Sequence, residues 1–68
     1  MSAPQTTLTN REREVMRLVA LGKSGAAIGG QLGISPETVR VHVRNATRKL
    51  GATTRAQAIG IAVSTGEI

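Results

Sequence analysis

The chain contains no cysteine, no phenylalanine, tyrosine or tryptophan, and no aspartate. Without cysteine there can be no disulfide framework, thiolate metal site or cysteine nucleophile. Without aromatics, the 40% of residues that are hydrophobic are mostly Ala, Val, Ile and Leu. Such a set suits closely packed helices with small side chains at the contacts. Without aspartate there is no aspartyl phosphoacceptor. One His and four Glu cannot assemble a Ser-His-acid set or a paired-carboxylate site, which argues against an enzyme. The lone His42 has no second ligand, so neither a metal nor a cofactor is expected. Residues 1–7 lack the basic and apolar segments of a signal peptide, and no apolar run nears the ~20 residues of a membrane-spanning helix. A soluble, cytoplasmic protein is predicted.

What the chain does hold is positive charge. Nine Lys and Arg face four Glu, a net +5 on 68 residues. That balance points to a polyanionic partner, either nucleic acid or an acidic membrane surface. The length allows one domain with a small core and modest stability. Eight glycines weaken it further, since each one inside a helix costs roughly 1 kcal/mol relative to alanine.

Local signals predict an all-α domain of four helices, at about 10–21, 24–32, 36–50 and 54–65, behind a disordered leader or linker end over residues 1–7. Thr9 and Glu12 form a capping box ahead of the apolar stripe Val15, Leu18 and Val19, and Gly22 is a stop. Ser24 caps a short, glycine-rich second helix with Ala27, Ile28 and Leu32 facing inward. Gly33 and Ile34 make a tight turn, and Ser35-Pro36-Glu37 opens the third helix with a cap, a first-turn proline and a first-turn acid. Gly51 ends it. Thr53 or Thr54 starts the fourth helix, which Gly66 ends.

Two helices joined by a glycine turn have the form of a helix-turn-helix. Gly29 allows the helices a close approach, while Ile28, Leu32, Ile34 and Val39 fix their crossing. Gly25 and Gly30 have no such reason. On the third helix Val39, Val43, Ala46 and Leu50 share the core arc. The opposite arc carries Arg40, Val41, Arg44, Asn45 and Arg48. Arginine suits guanine O6 and N7, and Val41 in a charged face suits a thymine methyl. Asn45 could read adenine or hold a phosphate. Arg40, Val41, Arg44 and Asn45 are therefore the candidate base contacts. Lys23, Ser24, Thr38, Arg48, Lys49, Thr53, Thr54 and Arg55 are the candidate phosphate contacts. The bland alternative is an ordinary solvated face with one stray valine. Arg11, Arg13 and Arg17 alternate with Glu12 and Glu14 as a solvated, internally paired surface, with Glu14 a candidate to bond across to a basic residue. On the fourth helix Ala58, Ile59 and Ala62 face inward. An exposed Ile61 beside Gln57, Gly60 and Ser64 suggests a dimer contact.

Leu8-Thr9-Asn10-Arg11-Glu12-Arg13-Glu14-Val15, Gly22, Ile28, Leu32, the run from Ile34 to Asn45, and Arg48-Lys49-Leu50-Gly51 resemble the LuxR/GerE helix-turn-helix domain from Leu8 to Ile68. The resemblance implies a bacterial transcription regulator, dimeric on inverted half-sites through its fourth helix. It also implies base contacts at Arg40, Val41 and Arg44, and phosphate contacts at Lys23 and Ser24. The chain departs from the family's usual pattern at Ala27, Gly29, Ala46 and Thr47. Such domains normally follow a receiver or sensing domain, so an excised C-terminal domain is expected over a stand-alone effector. The expected partners are double-stranded DNA, a second copy of the chain and, as a further option, RNA polymerase, with no membrane and a nucleoid-associated location. Two alternatives stay open: a sigma-factor-like promoter-reading domain, and a basic protein-interaction module that does not read DNA.

Overall fold

The computed structural model describes residues 8–68; the leader expected over residues 1–7 lies outside them. Among the described residues there are four helices: α1 (Asn10–Ala20), α2 (Gly25–Leu32), α3 (Pro36–Lys49) and α4 (Arg55–Ser64). They match the four expected segments. The one-residue differences at most ends are caps, which lie outside the helix proper. Each start is set by a hydroxyl that accepts a backbone N–H three residues on: Thr9 from Glu12 at 3.0 Å, Ser24 from Ala27 at 3.1 Å, Ser35 from Thr38 at 3.1 Å and Thr54 from Gln57 at 3.1 Å. At α1 the capping box is complete, because the Thr9 N–H also donates to Glu12 Oε1 at 2.9 Å. At α4, Thr54 is the cap, while Thr53 N–H and hydroxyl both donate to Gln57 Oε1.

The four helices also end alike. Past the last turn, the N–H of Lys23, Ile34, Ala52 and Glu67 returns to the carbonyl five residues earlier, on Leu18, Gly29, Thr47 and Ala62. Each bond follows a glycine at positive φ, the Schellman arrangement. Gly33 matters most, because its φ of 72° reverses the chain between α2 and α3 without a Cβ clash.

The core joins Leu8, Val15, Met16, Leu18 and Val19 to Ile28 of α2, to Val39, Val43, Ala46 and Leu50 around α3, and to Ala58 and Ala62 of α4. Met16 was not expected there. The α1 stripe is wider than a single i, i+3, i+4 row, spanning roughly 160° at 100° per residue, and Met16 lies on its far edge. Ala27, expected to face inward, is exposed. The α2 contact face is centred on Ile28, Gly29 and Leu32, and Ala27 falls on the side away from Gly29. The expected exposure of Ile61 also fails. Ile61 is half-buried against the core, while Val63 is 58% exposed.

Gly29 is the tightest point of the fold. A Cβ built there would lie 2.5 Å from the Ile34 carbonyl oxygen, a backbone atom. Gly30 next to it has nothing within 4 Å and no packing reason to be glycine. Gly30→Ala is therefore expected to stabilise the domain by up to about 1 kcal/mol through helix propensity. Gly29→Val should destabilise it by about 2 kcal/mol or more, by forcing α2 and the turn apart. Urea unfolding of both variants tests this, and a neutral Gly29→Val would refute the close-approach account.

Candidate nucleic-acid interface

The exposed side of α3 is set by its buried side. Val39, Val43 and Ala46 face the core, which turns Arg40, Val41, Arg44 and Arg48 outward as expected. Val41 is 37% exposed, an apolar group without a core role. Asn45, expected on the exposed arc, is half-buried, as is His42. Thr38 bonds its hydroxyl to that of Ser35 at 2.9 Å, and Lys23 and Ser24 are exposed at the start of α2.

Between α3 and the start of α4 runs an open groove lined by Arg40, Arg44, Arg48, Thr53, Thr54 and Arg55, with apolar and glycine residues at its floor. Its sign follows from where the acids are. Every glutamate holds one cation: Glu14 pairs with Arg11, Glu67 with Arg13, Glu37 with Arg40 and Glu12 with Lys49. Among the described residues Arg17, Lys23, Arg44, Arg48 and Arg55 have no carboxylate partner. Three of these five line the groove, so much of the net positive charge is concentrated there.

Two of the ion pairs cross the fold and were not foreseen. Glu14 bonds a basic residue of its own helix, Arg11, while the bond from α1 to α3 comes from Glu12. Glu12 is buried, and its Oε1 takes both the Thr9 N–H and Lys49 Nζ, the latter at 2.8 Å. Lys49 was expected at a phosphate; the structure instead turns its ammonium inward onto α1. Arg13 donates to the Glu67 carbonyl at 2.9 Å and to its carboxylate at 3.0 Å, tying α1 to the end of the chain. Sequence periodicity finds neither pair, because the partners lie 37 and 54 residues apart. The Glu37–Arg40 pair, at i and i+3 on α3, was within reach of spacing alone.

On α4, Gln57, Gly60 and Ser64 are exposed as expected, together with Ala56 and Val63. This face carries no charge. Gln57 has committed its side-chain oxygen to Thr53.

A short helix, a glycine turn and a longer helix with a basic outer face make a helix-turn-helix of the DNA-binding kind. The model of the bacterial regulatory proteins of the luxR family matches residues 6–62. The spore germination protein GerE of Bacillus subtilis is 44% identical over 61 residues, 90% of this chain and 82% of GerE. A nitrate/nitrite response regulator homologue of Haemophilus influenzae is 49% identical over 55 residues, 81% of this chain and 26% of that protein. The transcriptional activator BjaR1 of Bradyrhizobium diazoefficiens is 45% identical over 60 residues, 88% of this chain and 25% of its own length. The solved structure of the transcription factor GerE superposes with a TM-score of 0.85 at 45% identity, covering 88% of this chain and 90% of that one.

The chain belongs to the luxR family of bacterial regulatory proteins. It is a DNA-binding domain of transcription regulation and not an enzyme, and it spans about a quarter of the length of relatives such as the response regulator and BjaR1. Family membership decides against the sigma-factor and protein-interaction alternatives. No helix among the described residues is long and apolar enough to cross a membrane.

The Glu12–Lys49 tie has a pH signature. Burial alone would raise the Glu12 carboxyl, but the bonds from Lys49 and Thr9 outweigh it and hold the group below its ordinary value. A carboxyl depressed on folding lends stability that is complete above the unfolded-state value of about 4.3. That stability is lost as the pH falls through the lower folded-state value. Lys49→Ala is expected to cost about 2 kcal/mol at neutral pH and to flatten this acid limb, with little change in the salt dependence of DNA binding. Urea titrations across pH, paired with binding at several salt concentrations, check it. A change confined to the salt slope would return Lys49 to the phosphate contacts.

Proposed function

We propose that residues 8–68 bind double-stranded DNA sequence-specifically in bacterial transcription regulation, with α3 in the major groove. The observation that carries this reading is the gathering of Arg44, Arg48 and Arg55, none with an acid partner, along one groove beside the exposed Val41. Arg40, Val41, Arg44 and Asn45 read base edges. Lys23, Ser24, Thr38, Arg48, Thr53, Thr54 and Arg55 hold phosphates, helped by the positive N-termini of α2 and α4. A regulator of this kind works on chromosomal DNA in the cytoplasm, within reach of RNA polymerase.

Two copies bind inverted half-sites through α4. The support for this is the uncharged outer face of Ala56, Gln57, Gly60, Val63 and Ser64, where the small Gly60 permits close approach and Val63 replaces Ile61 as the apolar contact.

A selection from random duplexes supplies the half-site and its spacing. On that site Arg44→Ala is expected to cost about 1–3 kcal/mol and relax preference at one position. Arg55→Ala should weaken all sequences alike and lower the salt slope by about one. Equal losses on selected and scrambled duplexes for both variants would defeat the base-reading assignment. Val63→Glu should abolish cooperative binding to paired half-sites while a single half-site is still bound. A parent domain that sediments as a monomer on paired sites would remove the dimer.

A further inference from the structure

We infer that Glu37 is a positioning residue for base recognition, holding the Arg40 guanidinium at the front of α3 and keeping it off the phosphates. The inference rests on the reading of Arg40 as a base contact. Three of the four acids serve elsewhere: Glu12 is buried at the start of α1, Glu14 pairs along α1, and Glu67 pairs with Arg13. Glu37 alone is on α3, in its first turn, with its carboxylate on Arg40 Nη2. Its side chain is 73% exposed, and an exposed ion pair contributes little to a fold. On a surface that meets DNA, a carboxylate repels phosphates, so affinity gives no reason for it either. Selectivity does. One nitrogen of the guanidinium fork is taken by that carboxylate, which draws the group toward the first turn of α3 and leaves further N–H donors for guanine O6 and N7. Arg48 and Arg55, the proposed phosphate contacts, have no such restraint. Arg40 is thereby distinguished from the other arginines of the groove: its charge is offset and one of its nitrogens is engaged by a carboxylate.

The test is a random-duplex selection with the parent domain, Glu37→Gln, Glu37→Asp, Arg40→Gln and the Glu37→Gln/Arg40→Gln double variant. Anisotropy titrations on the selected and a scrambled duplex at several salt concentrations follow. Glu37→Gln is expected to bind the scrambled duplex more tightly, with a steeper salt slope as Arg40 is released to phosphate. Its preference for the selected duplex should fall about tenfold, with broadened choice at the position Arg40 reads. Glu37→Asp, which keeps the charge but shortens the reach, should lose preference without gaining on scrambled DNA, and it carries the test if the Gln variant does not fold. Adding Glu37→Gln to Arg40→Gln should change preference no further. Equal gains on both duplexes, with the base preference intact, would overturn the inference and leave Glu37 a simple repulsive charge. An Arg40→Gln variant that keeps the parent's preference would instead refute Arg40 as a base contact, a separate and distinguishable failure.

Discussion

The arrangement of this domain depends on the contact between Gly29 and the backbone of Ile34. Gly29 accepts the N–H groups of Gly33 and Ile34, and its missing side chain lets the Ile34 carbonyl sit where a Cβ would be. The turn and the cap of α3 are thus held close to α2 by backbone contacts, with Leu32 and Ile34 packed against the core beside them, which fixes where α3 begins and how it is rotated. Since the rotation of α3 decides which residues reach outward, the identity of the basic face follows from a residue that touches no partner.

The far end of α3 is held differently. Its last turn has no glycine contact with a neighbouring helix and is tied instead by Lys49 to Glu12, inside the capping box that starts α1. One carboxylate therefore supports both the first helix and the end of the recognition helix. The connection that places Arg55 leaves from that same turn. A core without aromatics has little area to bury at each contact, and a desolvated, hydrogen-bonded ion pair supplies direction where apolar packing by Ala46, Ala58 and Ala62 supplies little.

Most of the helices were legible in the sequence because their boundaries are local. Each cap and its donor lie three residues apart, and each stop is a glycine followed by a bond five residues back. The face of α3 was legible for the same reason, since Val39, Val43 and Ala46 mark one side of a single helix. What escaped was set by neighbours distant in the chain. Met16 is buried because α1 is enclosed more widely than one stripe. Lys49 looks like a free cation until Glu12 is brought beside it. Ile61 is half-buried and Val63 exposed because the packing of α4 turns Ile61 toward the core, which a run of Ala, Ile and Gly does not announce.

The charge itself divides between two tasks. On the proposed reading, the unpartnered charges Lys23, Arg48 and Arg55 supply sequence-independent attraction, which scales with phosphate contacts and weakens with salt. On the same reading, discrimination needs groups that lose something on the wrong base, and those are directional or apolar: the guanidinium groups of Arg40 and Arg44, the amide of Asn45 and the methyl groups of Val41. A face made only of free arginines would bind more tightly and choose less well. Placing the one acid of α3 in its first turn, and an exposed valine next to the arginine it restrains, shifts that balance toward choice at the end of the helix that enters the groove first.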